Sequence, residues 1–485
     1  MSDQTIYSNA FNFSSFLSSG VDPRTGQYTA KINITELKPF NINDSSLNIA
    51  VRFSPFNKIN FGFGRGWEVT TSKLDIRKRV LTTAEGEQYR CEALIPGREI
   101  RFIDKKIVNL RATMVNATTV RLHYKSGITE TLQRLNFTSD MAVLTSVTFA
   151  NGETFDLAYS MFIQGHPCLT EIHHRQTKNL MLRLNYFSGN CHQIKYPDDN
   201  GDLSQINIQY RNNQLMQLSL PVGKNTKSDA AYTFNYITLQ DNYLGIKECR
   251  TPTGSREIIQ YNATGIRVTM ATYLPCVVST TTHPGNGQPA MTRTWQYSQN
   301  TNFTGFSSGR THIDPEQDNL YLVTGNYTYS STENHFLGKQ DAIRITRDYN
   351  RFHLITREET VQDGKRHTLR YVYNELSGVN YYQQPMNLPL VSEETEIFTN
   401  IGEDHFRVKS TTQQTDEWGN VLRVVYPDGT QQENVFFGSA GESGLCPADP
   451  LGFSRFIRST TLLPASGDTP SKNDILLLAI TVFFL

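Results

Sequence analysis

The chain has 485 residues, of which 46 are Lys or Arg and 46 are Asp or Glu, and its pI is near 7.2. This charge balance provides no basic footprint for nucleic acid and no attraction to an acidic membrane surface. Six cysteines without a C-x-x-C pair are too sparse for a disulfide scaffold, and 23 Tyr and 27 Phe without a sustained helical period favour an all-β chain.

Residues 1–19 are rich in Ser and Asn and predict a loose N-terminal arm. They lack a basic region followed by an apolar stretch, so the sequence has no Sec-type signal pattern. Localisation stays open between secretion by another route and a cytoplasmic stage before export.

Residues 20–135 predict an N-terminal β region. A turn at 22–26 leads into residues 28–34, where apolar and polar side chains alternate as in a half-buried strand. Residues 61–67 interleave glycine with aromatic residues, which predicts backbone packed closely against a ring, with Trp67 as the anchor. The stretch fails the dinucleotide-binding fingerprint, because that motif needs glycine where Trp67 stands.

Residues 136–270 predict regular β-hairpin repeats, and two spacings support them. Tyrosines close successive units at intervals of 27, 24, 26 and 25 residues: Tyr159, Tyr186, Tyr210, Tyr236 and Tyr261. The opening strands carry two apolar residues three positions apart: Leu144/Val147, Leu169/Ile172, Cys191/Ile194, Leu215/Leu218 and Tyr243/Ile246. A fixed period of this length indicates stacked units. An ordinary antiparallel sandwich with coincidental spacing remains open as the alternative.

Turn glycines support the same units. Gly152, Gly254 and Gly429 each precede an aromatic residue by seven positions. The last hairpin, 418–437, turns at Pro427-Asp428-Gly429, where proline presets φ and glycine accepts a positive φ.

Residues 271–465 predict degenerate repeats with loop insertions near 283–289 and 303–318. Residues 466–485 predict a linker and an apolar tail. The apolar run 475–485 is eleven residues long, and a membrane-spanning helix needs about 20, so we expect no membrane span.

Candidate chemistry is sparse. His173 and His174 are neighbours on a predicted strand and therefore point to opposite faces, which argues against a shared zinc ion. The acidic segment 198–202 lacks the glycine that a calcium-binding loop needs at its sixth position. The segment 441–444 lacks the last glycine of a nucleophile elbow. We predict no catalytic residue, no cofactor and no metal site, although a spatial pair of carboxylates for glycoside hydrolysis stays open.

Several motifs resemble those of the Rhs, or YD-repeat, family of polymorphic and insecticidal toxin shells. They are Gly419-Asn420-Val421, Tyr426-Pro427-Asp428-Gly429, Tyr196-Pro197-Asp198 and the stretches 20–28 and 61–67. The resemblance implies serial antiparallel hairpins that form a curved, spiralling sheet, as the N-terminal and early-repeat portion of a shell. It also implies a self-cleaving segment that begins Asp-Pro-x-Gly, as at Asp449. The paired glycines of that segment are missing, so no cleavage role is assigned to Asp449.

The resemblance implies a non-catalytic structural chain, part of a shell that encapsulates a C-terminal toxin and helps deliver it. Its expected partners are that toxin or further shell repeats beyond this chain, and the apolar tail suggests a truncated reading frame. The alternative is a carbohydrate-binding β-repeat protein at a cell surface, with exposed aromatic rings stacked on a glycan. Tyrosines packed against the next unit favour the shell, and aromatic side chains displayed with few neighbours favour the glycan.

Overall fold

A computed structural model describes residues 7–10, 19–39, 46–136, 139–197, 203–221, 230–310, 314, 316–338, 340–465 and 477–479. These residues form β-strands and short 3-10 turns, with no α-helix among them. The prediction of an all-β chain of serial antiparallel hairpins is confirmed. None of the described segments is a helix long and apolar enough to cross a membrane.

The N-terminal β region begins with a separate antiparallel sheet in the order β1-β2-β3-β4. Alternate side chains of its second strand are buried, as the apolar alternation at 28–34 predicts. The strands of this first sheet are β1 (Ser19–Val21), β2 (Tyr28–Leu37), β3 (Leu47–Phe53) and β4 (Trp67–Val69).

A second, long sheet starts with nine strands: β5 (Lys73–Asp75), β6 (Val80–Thr82), β7 (Gln88–Arg90), β8 (Arg98–Ile100), β9 (Leu110–Asn116), β10 (Thr119–Tyr124), β11 (Thr129–Gln133), β12 (Met141–Thr148) and β13 (Thr154–Ala158). One edge of β12 is shared, because its first residues pair with β5 and its last residues with β13. A small hairpin of β14 (Met161–Ile163) and β15 (His166–Cys168) stands apart from the long sheet.

The long sheet continues from β13 with every strand antiparallel to the one before it. Its next ten strands are β16 (Glu171–His174), β17 (Leu180–Phe187), β18 (Asn190–Pro197), β19 (Leu203–Arg211), β20 (Gln214–Ser219), β21 (Ala231–Thr238), β22 (Leu244–Arg250), β23 (Arg256–Arg267), β24 (Tyr273–His283) and β25 (Met291–Tyr297). Its last ten are β26 (Thr328–Leu337), β27 (Gln340–Asn350), β28 (Ile355–Gln362), β29 (Lys365–Tyr373), β30 (Val391–Asn400), β31 (Phe406–Thr415), β32 (Val421–Val425), β33 (Gln431–Phe436), β34 (Ile457–Leu463) and β35 (Leu477–Ala479). Short 3-10 turns lie in three of the connections, at Gln240–Asn242, Leu320–Leu322 and Tyr381–Gln383.

The main hydrophobic core lies between the first sheet and the long sheet. Phe53 and Trp67 from the first sheet are fully buried in the same cluster as Leu215 and Ile246 from the long sheet. The first sheet therefore covers one face of the regular hairpins, and the burial of these apolar side chains holds the two sheets together.

The long sheet bends until its early strands meet its late loops. The Val108 amide donates to the Glu417 carbonyl (3.0 Å), and Arg455 donates to the Lys125 carbonyl (2.8 Å) across 330 positions of sequence. Because the strands otherwise pair in series, such contacts require the sheet to curve back on itself, as expected of a spiralling sheet.

Two expected segments lie partly outside the described residues. Within the expected loose arm, residues 8–10 are buried. Within the expected apolar tail, residues 477–479 pair with Ser459–Thr461. The domain boundaries at 19, 135, 270 and 465 stay predictions.

Candidate functional site

Five predicted repeat tyrosines make the same hydrogen bond. Each phenol donates to a backbone carbonyl 15 to 21 positions earlier: Tyr159 to Leu144 (2.8 Å), Tyr186 to Leu169 (2.7 Å), Tyr210 to Cys191 (2.7 Å), Tyr236 to Leu215 (2.6 Å) and Tyr261 to Ile246 (2.8 Å). Tyr297 and Tyr373 repeat the bond to Val277 (2.9 Å) and Ile355 (2.8 Å). We call these seven tyrosines the tyrosine row.

Most of the tyrosine row lies at register shifts between its own strand and the next one. The shift falls immediately before the tyrosine at five positions: Tyr186, Tyr210, Tyr236, Tyr261 and Tyr373. One extra residue on the following strand is left without a pairing partner at each shift, which is the pattern of a β-bulge. Because bulges bend a strand and increase its twist, a bulge repeated in successive hairpins curves the sheet in a regular way.

The bulges also explain why the apolar pairs are three positions apart. In a regular strand, residues i and i+3 point to opposite faces, yet both members of Cys191/Ile194 and of Leu215/Leu218 are buried in one core. The ladder skips His192 in the first pair, which returns Ile194 to the face of Cys191.

In the fifth unit the ladder skips the residue after Ile246, and Ile246 accepts the tyrosine bond. Ile246 therefore takes the place of the first apolar member. The assignment of that place to Tyr243 is wrong, because the connection before this unit is longer.

The tyrosine rings are half-buried; six of the seven pack against the main core, and Tyr373 packs against a smaller cluster that contains Tyr381. Burial raises the pKa of the five repeat phenols, so these hydroxyls stay protonated and remain donors at physiological pH. Because the rings are packed and the hydroxyls are already bonded, the repeat tyrosines are not displayed for stacking on a glycan.

The glycine-aromatic stretch 61–67 runs against this row. The Trp67 indole donates to the Tyr236 hydroxyl (2.7 Å), which itself donates to the Leu215 carbonyl. Gly62 has φ +94°, and a Cβ there would lie 2.4 Å from the Tyr186 ring. The sequence pattern thus marks a place where only glycine allows the backbone to approach a repeat tyrosine.

The other glycines singled out from the sequence lie in hairpin turns. Gly152, Gly254 and Gly429 have φ values of 85°, 88° and 86°, in the left-handed region that favours glycine. They set the turn geometry and contact none of the tyrosine row.

A buried polar cluster joins residues that the sequence gave no reason to associate. The Ser8 hydroxyl donates to Asp318 Oδ2 (3.0 Å), and His353 Nε2 lies 2.8 Å from that carboxylate oxygen and 3.4 Å from Ser8 Oγ. The Tyr329 hydroxyl contacts His353 Nδ1 (2.8 Å). A catalytic triad uses separate imidazole nitrogens for the hydroxyl and the carboxylate. Here one nitrogen faces both, and all four side chains are buried.

The two histidines considered for metal binding make separate contacts. The His174 ring packs on Phe155, and His173 bonds Glu171 (2.9 Å). In the part of the chain that the structure describes, no group of three His, Cys, Asp or Glu side chains could hold a metal ion. The acidic segment 198–202 lies outside the described residues.

Asp449 organises a loop. Its carboxylate accepts the amides of Leu451 (2.9 Å) and Phe453 (3.2 Å) and pairs with Arg455. Asp416 accepts the amides two and four positions later in the same way. The signal that could have found these loops is an Asp three positions before a glycine of positive φ, at 419 and 452.

The fold and the tyrosine row place the chain among proteins built from serial β-hairpins that form one spiralling sheet. No protein-family model and no curated protein matches the chain. Among solved structures it is similar to a chain of "Crystal Structure of TcdB2-TccC3", with a TM-score of 0.57, 7% identity, and coverage of 94% of this chain and 48% of that chain.

A second structure, TcdB2-TccC3 without its hypervariable C-terminal region, gives a TM-score of 0.52 and 8% identity over 94% of this chain and 46% of that chain. The chain thus spans about half the length of both. At these identities the likeness concerns the fold alone.

Proposed function

We propose that this chain is a non-catalytic structural protein of the Rhs, or YD-repeat, type. It forms part of a shell that encapsulates a C-terminal toxin and helps deliver it. The observation that carries the proposal is the curved serial sheet, whose fold is similar to TcdB2-TccC3 chains over 94% of this chain. Because the chain spans about half of those chains, a complete shell requires further repeats or a partner.

The late strands have the character of a thin wall. No residue of β28 or β30 is fully buried, so both faces of these strands are at least partly open to solvent. Charged side chains pair across neighbouring strands, as between Arg347 and Glu358 (2.7 Å) and between Glu396 and Lys409 (3.7 Å). A single sheet whose strands are joined by such charge pairs suits the wall of a container.

The tyrosine row stiffens the earlier hairpins of the same sheet, and Tyr373 extends it to β29. Each bond ties a closing strand to a carbonyl in or beside the strand before it, and five of the seven tyrosines lie at a bulge, so bonding contributes to the curvature as well as packing. Six of the seven tyrosines also pack against the main core, so bonding and packing together set the curvature of these hairpins.

The test is protection of a cargo. The chain is produced together with the polypeptide that carries the C-terminal toxin, and a protease is added to the assembly and to the toxin polypeptide alone. We expect the toxin in the assembly to survive at least tenfold longer than the free polypeptide. Equal digestion rates, with the assembly intact by size-exclusion chromatography, would contradict the shell role.

A further inference from the structure

Residues 7–10 lie in a groove instead of in solvent. Asn9 and Ala10 are 2% and 0% exposed. The Tyr7 hydroxyl donates to Asp104 Oδ2 (2.9 Å), and the Asn9 amide donates to Asp318 Oδ2 (2.7 Å), the oxygen that also accepts the Ser8 hydroxyl. Four consecutive residues therefore place three donors on two buried carboxylates.

The groove is built from distant parts of the long sheet. Asp104 follows β8 and is held by two bonds from Arg90. Asp318 lies in the connection between β25 and β26 and contacts His353 from the connection between β27 and β28. The Ala10 side chain packs into a separate apolar cluster whose fully buried members include Phe303 and Leu320. The tetrapeptide thus spans the place where early strands meet late loops.

The two carboxylates differ in the hydrogen-bond partners that they would retain without residues 7–10. Asp104 keeps its arginine, and its own carbonyl accepts the Tyr381 hydroxyl (3.1 Å). Among the described residues, Asp318 keeps His353 and the Leu320 amide. Burying a carboxylate that has lost two of its four hydrogen-bond donors costs free energy. The empty groove would therefore favour binding of a segment that supplies a hydroxyl and a free backbone amide.

We propose that this groove is a peptide-binding site, which the chain's own residues 7–10 fill as a removable strap across the seam of the spiral. The ligand class is a short segment with the pattern Tyr-Ser-Asn-Ala, whose last two residues adopt a 3-10 turn, and the strap closes the contact between the early and late parts of the sheet. This inference concerns how the sheet is held closed and stands whether or not the chain encloses a toxin.

The experiment removes the strap and returns it in trans. A variant that lacks residues 1–10 is titrated with a fluorescent peptide of residues 5–12, and binding is followed by anisotropy. We expect saturable binding to the truncated chain and at least tenfold weaker binding to the full-length chain, whose groove is filled. Asp318→Asn in the truncated chain is expected to weaken binding at least tenfold, and a peptide with Ser8→Ala and Tyr7→Phe should bind weakly to the unmodified groove.

Equal peptide binding by the truncated and full-length chains, or by the Asp318→Asn variant, would overturn the proposal. If the truncated chain fails to fold, a protease site placed between residues 13 and 14 of the full-length chain releases the strap after folding. Hydrogen exchange should then increase at 104–106 and 316–322 and fall again when the peptide is added. Unchanged exchange after cleavage and loss of the peptide overturns it equally.

Discussion

Tyr236→Phe tests the tyrosine row most sharply, because this hydroxyl serves two partners. It accepts the Trp67 indole N–H (2.7 Å) and donates to the Leu215 carbonyl (2.6 Å). The substitution leaves a buried donor and a buried acceptor unsatisfied, each worth about 1–3 kcal/mol. We expect the free energy of unfolding to fall by about 2–4 kcal/mol, with no cavity formed because the ring is retained.

Two further substitutions calibrate that loss. Tyr210→Phe removes the bond to Cys191 and should lower the free energy of unfolding by about 1–2 kcal/mol. Tyr426→Phe alters an exposed ring, 39% accessible, and should change it by less than about 0.5 kcal/mol. Long repeat arrays unfold with limited cooperativity, so denaturant curves should be joined by hydrogen exchange in β20 and β21. If Tyr236→Phe and Tyr426→Phe have the same effect, the row does not stabilise the sheet.

Three other predictions concern the buried carboxyl group of Glu130, the tightly packed Gly62 and the expected lack of catalytic turnover. Burial raises the pKa of Glu130 to about 7, so the folded chain binds an extra proton between about pH 4.5 and 7, and the free energy of unfolding falls as pH rises through that window. Glu130→Gln should remove this loss, which amounts to up to about 3 kcal/mol. The variant should show a flatter plot of unfolding free energy against pH and higher stability at pH 8. Gly62→Ala should destabilise by more than about 2 kcal/mol in denaturant unfolding because its Cβ meets the Tyr186 ring, and Gly152→Ala, with similar φ and open space, by only about 1 kcal/mol. Purified protein should show no turnover of glycans, peptides or nucleic acids, and an activity abolished by Ser8→Ala would contradict the closed geometry of that cluster.

The repeat unit was accessible from the sequence because it is local. Tyrosines at intervals of 24 to 27 residues and the glycine-aromatic stretch 61–67 both follow from short-range constraints, one from the hairpin length and the other from close backbone approach. The bulges were present in the sequence as an apolar spacing of three, which does not fit a regular strand. That mismatch was the available sign of the register shifts.

The groove that holds residues 7–10 could not be predicted from the sequence. Ser8 is 310 positions from Asp318 and 345 from His353, and no period or motif connects them. Their proximity depends on the accumulated bend of the hairpins between them, so a small error in each unit's curvature would displace the contact. A Ser- and Asn-rich N-terminus therefore predicts a loose arm even where the folded sheet offers buried carboxylates that bind the arm.

Electron cryo-microscopy of the chain assembled with the toxin-bearing polypeptide tests the central claim most directly. The account predicts that β13 to β34 form one wall of a closed hollow and that density for the toxin lies inside it. An assembly in which the long sheet stays open to solvent, or in which the toxin lies outside the wall, would contradict the account.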